Sequence, residues 1–265
     1  MLFMTLIDGL ILGVVEGLTE FIPVSSSGHL IIVRDLLSIN IPEGLAVDAV
    51  LQLATILAVA VYFRRDLRRL IVTAFSPSKA EPAEKNLLFA IILGTIPGVV
   101  FGLLLESKME TVFRSPLLVA GALLFGSALM FAADRWGKSL VQISPSRGLM
   151  VGFFQALALI PGVSRSGATI SGGLLLGLTR TEAVRFSFLL SFPIILGSGL
   201  KKLFDLYVAG GFTTDFVPLV VSLSAAFAVG LLSIHWLINY LSRRGLGVFV
   251  WYRVVLALIV IVFLA

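Results

Sequence analysis

Residues 86–105 and 216–242 contain no lysine, arginine, aspartate or glutamate, and runs of 20 and 27 uncharged positions leave a chain few ways to fold. A helix of about 20 residues crosses a hydrocarbon layer ~30 Å thick while satisfying its own backbone amides. Further apolar windows lie at 45–63, 116–133, 186–200 and 246–265, with only Asp48 and Arg253 as charged interruptions. Hydrophobic residues make up 58% of the 265 positions and charged ones 13%, so no stretch remains for a soluble domain. The expected class is an all-α polytopic membrane protein, one membrane domain over 1–265. The first apolar segment has no basic leader and is read as part of the mature chain. Cysteine is absent, which excludes disulfides and thiolate metal sites. The net charge of +5 comes from short loops between apolar segments, so it reads as membrane topology and not as a nucleic-acid surface.

Two polar insertions break the apolar pattern. The stretch "FIPVSSSGHL" (21–30) places Pro23, Ser25, Ser26, Ser27, Gly28 and His29 inside an apolar segment, just after Glu16 and Glu20. Laid without a gap over 148–170, residues 9–31 match at Gly9, Leu10, Gly13, Leu18, Val24, Ser25, Ser27, Gly28 and Ile31, each 139 positions before its partner. The second copy holds Pro161, Ser164, Arg165, Ser166 and Gly167. The chain therefore reads as two repeats, about 1–135 and 140–265, each a polar-interrupted hairpin followed by three crossings. An odd number of crossings inverts the second repeat, giving six transmembrane helices plus two re-entrant helical hairpins. Lysine and arginine support that arrangement: fourteen fall in the loops 64–85, 135–147, 180–185 and 241–253. Only Arg34, Lys108, Arg114, Lys201 and Lys202 fall on the other face. The first group is expected in the cytoplasm, both termini outside, and the first hairpin entering from outside.

Irregular backbone at membrane depth is tolerated only where it lines protein or a water-filled cavity. Pro23 and Pro161 are expected to end short helices, with the serines capping new helices that begin near Gly28 and Gly167. Hydroxyls beside free amides at a helix start form an anion site. Glu16 and Glu20, four apart, project from one helix face. Arg165 occupies the place of Ser26 in the second copy, while Gln155 replaces Glu16. One repeat thus supplies acids and His29, the other a guanidinium. Thr169 and Gln155 read equally as site or packing residues; Ser171–Gly173, Gly197–Gly199 and His235 read as structural. Arginine neutralises phosphate oxygens, a hydroxyl becomes a nucleophile once a base takes its proton, and paired carboxylates hold a hard divalent cation or act as bases. Together these describe phosphoryl transfer. No Walker-type loop is present, so ATP is not the expected donor; a site within the bilayer points to a lipid substrate.

The segments "EGLTEFIPVSSSGH" (16–29) and "PGVSRSGAT" (161–169), with "LQLATILAV" (51–59), closely resemble the undecaprenyl-diphosphatase family, also called bacitracin-resistance proteins, over the whole chain. The resemblance implies removal of the terminal phosphate of undecaprenyl diphosphate, recycling a lipid carrier used in peptidoglycan synthesis, by a multi-pass plasma-membrane enzyme opening to the outer face. It implies a divalent cation, Mg2+ or Ca2+, with Glu16 and Glu20 binding it or assisting proton transfer, and phosphoryl stabilisation by Arg165. Ser26 with His29 is the implied nucleophile and base, with Ser25 or Ser27 as substitutes. Ser25, Ser27, Ser164, Ser166 and Thr169 would cradle phosphate. Phosphoserine formation and direct attack by water both remain open, as does oligomeric state, a homodimer included. The rival function is a transporter or flippase for an anionic lipid or small anion.

Overall fold

The computed structural model describes residues 4–39, 41, 44–111, 115–137, 142–208 and 216–263, without the side chains of 45, 106–111 and 263. Arg114, Lys138 and the side chain of Lys108, counted in the charge tally above, lie outside that description. Among the described residues there are eleven α-helices, one 3-10 turn and no strand.

Two hairpins of short helices stand out. The first pairs α1 (Leu6–Thr19) with α2 (Ser26–Leu36). Further on, α7 (Pro145–Leu157) is followed by α8 (Arg165–Leu175). At 14, 11, 13 and 11 residues each is too short to cross a bilayer. The starts of α1 and α7 follow from capping. Thr5 Oγ1 accepts the Asp8 amide at 3.2 Å, while the Thr5 amide donates back to the Asp8 carboxylate at 2.9 Å. At the matching position, Ser144 caps the Arg147 amide, with Pro145 in the first turn.

Between and after the hairpins run α3 (Gly44–Tyr62), α4 (Arg64–Phe75), α5 (Pro82–Thr111), α6 (Pro116–Trp136), α9 (Arg180–Val208), α10 (Phe216–Leu241) and α11 (Gly247–Phe263). Four stretches, Pro82–Leu105, Pro116–Trp136, Arg180–Val208 and Phe216–Leu241, are long and apolar enough to cross a membrane, and α3 joined to α4 makes a fifth with an 82° bend. The shorter α11 is apolar over Gly247–Val262. Large apolar side chains such as Leu103, Leu232, Trp251 and Val262 face outward, as expected where lipid is the solvent.

Glycine decides the tightest packing. Side chains added at Gly9, Gly13 and Gly17 of α1 would come within 2.5, 2.2 and 2.7 Å of the Pro218, Ser222 and Ala226 carbonyl oxygens of α10. Gly148 and Gly152 bring α7 equally close to Ala90 and Gly94 of α5. Small residues let helix backbones meet where lipid offers no hydrophobic drive to pack. Helix α3 lies against α9 and α10, α6 against α11, and α8 among α6, α7 and α9. A core of Phe21, Phe63, Phe188, Leu189 and Ile234 fills the centre, with Phe21 and Phe188 edge to face at 5.4 Å.

Three expectations need correction. Residues 64–75, expected within a loop, form α4, nearly perpendicular to α3; Arg64, Arg65, Arg68 and Arg69 stay exposed while Leu70 and Thr73 are buried, and Asp66 pairs with Arg185 of α9. The helices expected near Gly28 and Gly167 begin earlier, at Ser26 and Arg165, because Ser25 and Ser164 already occupy the cap position. Arg253 is not a loop residue. It lies inside α11 with no solvent exposure, which leaves thirteen of the fourteen basic residues in the first group. The packing reading of Gly172 and Gly199 stands: side chains there would meet Phe154 at 2.7 Å and Leu53 at 2.5 Å. His235 bonds Asn239 and Tyr62 at the end of α10.

Candidate active site

Each hairpin turns on a serine in an unusual backbone conformation. Ser25 has φ 76 and ψ 95, and Ser164 has φ 73 and ψ 116. A positive φ is costly for a residue with a side chain and persists only where its surroundings over-determine it. Ser164 is held by capping its own helix, its Oγ accepting the Gly167 amide at 3.2 Å. Ser25 does not cap its helix; its Oγ accepts the Gly162 amide of the other turn at 3.2 Å. Gly162 itself has φ 104 and lies so close to the Val119 carbonyl that a side chain there would approach it to 2.6 Å. The two turns are therefore bonded directly to one another.

Across this seam Arg165 Nη2 donates to Glu20 Oε1 at 2.6 Å, joining residues 145 positions apart. The Ser26 hydroxyl donates to the other oxygen of the same carboxylate. Glu20 stands at the C-cap of α1 and Glu16 one turn earlier. Both acids thus sit at the negative end of the helix dipole, where carboxylates are disfavoured without a positive partner. Glu16 is completely buried, and neither of its oxygens has a hydrogen-bond partner; Arg165 Nη1 is likewise buried and unpartnered. The other charges bearing on Glu16 are Asp48 and Arg34, which form a two-pronged pair of their own. Arg165 pairs with Glu20 and Arg34 with Asp48, so Glu16 is left without a cationic partner of its own.

Those unpartnered oxygens are the test of whether a cation fits. A buried carboxylate with two free oxygens, beside a second carboxylate and an arginine nitrogen still lacking an acceptor, matches a cation bound together with a phosphate. Among the described residues no group of three or more histidine, aspartate or glutamate side chains is arranged to hold a metal ion. Magnesium is commonly held by one or two carboxylates plus substrate phosphate oxygens, so the pair Glu16 and Glu20 suffices.

His29 is committed elsewhere than expected. Its Nδ1 donates to the Ser25 carbonyl at 2.8 Å, so in the neutral ring Nε2 is the acceptor, and the Tyr252 hydroxyl of α11 donates to it at 2.7 Å. The expected Ser26–His29 bond is replaced by Ser26–Glu20, because the ring bonds back to the turn preceding its own helix. Ser27 lies 3.4 Å from Ser25 and Ser166 3.3 Å from Ser164, hydroxyl to hydroxyl. Thr169 donates to the Arg165 carbonyl and meets Ser187 of α9 at 2.6 Å, which ties α8 to α9. Gln155, buried at the position matching Glu16, lies beside Gly98 of α5.

Two residues of the site were not singled out from sequence, Tyr252 and Arg253. A charge inside the apolar window 246–265 was a signal for the second, since intramembrane charges mark functional positions. Its nearness to the loop ending in Arg243 and Arg244 masked it.

Known proteins match the chain over nearly its whole length. An undecaprenyl-diphosphatase of Paenarthrobacter aurescens is 42% identical, covering 98% of each chain. That of Pelotomaculum thermopropionicum is also 42% identical, covering 99% of this chain and 98% of its own. The undecaprenyl-diphosphatase of Desulforudis audaxviator is 44% identical over 96% of both. The family model described as bacitracin resistance protein BacA matches residues 9–259, from within the first helix of the first hairpin to within α11, and the chain belongs to that family.

Proposed function

We propose that this protein is an integral membrane phosphatase that hydrolyses undecaprenyl diphosphate to undecaprenyl phosphate and inorganic phosphate, recycling the lipid carrier of cell-wall synthesis and so conferring bacitracin resistance. The names of its relatives support the substrate. The observation that carries the chemistry is the Glu20–Arg165 contact, with a partnerless Glu16 on one side and a partnerless Arg165 nitrogen on the other.

In this reading the terminal phosphoryl group lies against Arg165 Nη1, which supplies the fixed positive charge that phosphoryl transfer demands. Ser26 attacks phosphorus, and its proton passes to the Glu20 oxygen it already bonds. The bond from phosphorus to the bridging oxygen breaks and undecaprenyl phosphate leaves; water then attacks the phosphoserine, giving a proton to His29 Nε2 in place of the Tyr252 hydroxyl, while Glu20 returns its proton to Ser26 Oγ and inorganic phosphate departs. Direct attack by water, with Glu20 as its base, is the one-step alternative. Glu16 and Glu20 would hold a divalent cation, Mg2+ or Ca2+, which when bound would neutralise phosphate charge. Ser25, Ser27, Ser164 and Ser166 line the cradle, whereas Thr169 acts by fixing α8.

The two hairpins are read as re-entrant elements of an inverted repeat with six crossings, the first opening to the extracytoplasmic side. Matching helix bounds support this: α2 and α8 each span 11 residues and start 139 positions apart, after serines of near-identical backbone angles. A transporter is less favoured, since a serine hydroxyl already bonded to a carboxylate is a nucleophile with its base in place.

Phosphate release from undecaprenyl diphosphate by purified protein in detergent, with and without EDTA, tests the proposal. Release in one compartment that EDTA stops is expected; no release under any condition overturns it. Acid quenching during turnover decides between the two routes, since only the serine route leaves labelled phosphate on the protein.

A further inference from the structure

The largest fully buried side chain among the described residues is Arg253, in the middle of α11. It has no acidic partner among them. Instead its guanidinium bonds mainly to backbone: Nη1 donates to the Pro23 carbonyl at 3.3 Å, and Nη2 to those of Gly162 at 2.8 Å, Val163 at 3.0 Å and Leu123 at 3.2 Å. Nε reaches the Ser127 hydroxyl at 3.3 Å. Pro23 belongs to the first turn, Gly162 and Val163 to the second, and Leu123 and Ser127 to α6. One side chain therefore bonds both turns of the site and the helix behind them.

The fold makes room for it. A side chain at Gly126 would come within 2.1 Å of Arg253 Nη2 and 2.7 Å of the Val163 carbonyl, so α6 carries glycine where the guanidinium passes. Three of the carbonyls it takes, those of Pro23, Gly162 and Val163, lie in the turns where the helices break at membrane depth, and such groups need a buried partner. A planar fork with five donors can serve several at once; a lysine ammonium has three and no fixed plane. The neighbouring residue, Tyr252, puts its hydroxyl on His29. A single turn of α11 thus reaches both turns and the imidazole.

We infer that Arg253 is a positioning residue that sets the register between the two turns, and hence the juxtaposition of Glu20 with Arg165, without touching substrate. The kinetic arm of its test rests on the phosphatase reading; the distance arm does not.

The test compares Arg253→Lys, Arg253→Met and Gly126→Ala, the last displacing the guanidinium without altering it. Spin labels at Ile31 on α2 and Leu175 on α8 report the hairpin-to-hairpin distance, and labels at Phe89 on α5 and Met150 on α7 serve as control. All four positions are exposed. Expected is a single sharp α2–α8 distance in the parent that broadens in Arg253→Lys and Gly126→Ala, an unchanged control pair, and kcat for phosphate release lowered about 10²-fold, the scale of a ~1 Å misplacement. KM should move far less. An α2–α8 distance that stays sharp in all variants overturns the inference. So does broadening of both pairs together with a falling melting temperature, which would mark ordinary core packing. If Arg253→Met fails to fold, the other two variants decide. A parent enzyme that releases no phosphate would sink the phosphatase reading alone, since the distances still judge the clamp.

Discussion

At the scale of single residues, the two turns are joined by a buried ion pair, Glu20 with Arg165. Arg165→Met leaves Glu20 buried without its partner, a loss of about 3–5 kcal/mol for pairs of this kind. We predict that Arg165→Met melts well below the parent protein in detergent, that the double variant with Glu20→Gln recovers much of the difference, and that both release no phosphate. A double variant no more stable than the single one would show that the contact contributes little to the fold. His29→Ala should lower turnover about 10²–10⁴-fold, the usual contribution of a positioned base, and Tyr252→Phe much less, since it removes the hydroxyl but not the ring. Wild-type phosphate release in His29→Ala would remove imidazole from the mechanism. The Glu–x–x–x–Glu spacing and the arginine were legible in sequence because type and spacing alone carry them. The partner of Ser26 was not, since serine lies within reach of both a carboxylate and an imidazole and only coordinates choose between them.

At the scale of elements, close helix approach is what brings the hairpins to their place. Gly13 and Gly152 occupy matching positions in α1 and α7, each against a backbone oxygen of the neighbouring helix. Overpacking normally costs about 1–3 kcal/mol, and here the obstacle is backbone that cannot rotate away. Gly13→Val and Gly152→Val should each therefore lower the melting temperature and yield aggregated protein on size exclusion. By contrast Gly121→Ala, at a position with open space around it, should behave as the parent. A stable, monodisperse Gly13→Val variant would contradict this account of packing. The glycine matches between repeats were visible as letters; that they press on α10 and α5, helices remote in sequence, was not.

At the scale of the whole molecule, the absence of cysteine makes topology directly testable. Single cysteines at Leu37, after α2, and at Phe75, at the end of α4, are both at exposed positions. In intact cells a membrane-impermeant maleimide should label the first and not the second, and permeabilisation should expose Phe75→Cys. The reverse pattern would invert the molecule and turn the first hairpin to the cytoplasm. Chelation acts at this scale too: EDTA should abolish phosphate release, and added Mg2+ or Ca2+ should restore it, if Glu16 and Glu20 hold the cation proposed.

The sequence by itself determined the membrane class, the two matching polar turns and the residue types they carry. Charge-free runs, residue types and spacings are local properties that survive without a fold. Only the tertiary structure decided which partners each polar atom keeps, because those bonds join positions far apart in the chain. Ser26 on Glu20, Tyr252 on His29 and Arg253 across both turns all depend on how α1, α2, α8 and α11 are packed. Burial then turns each choice of partner into a large energetic difference, since a buried polar group without one is expensive.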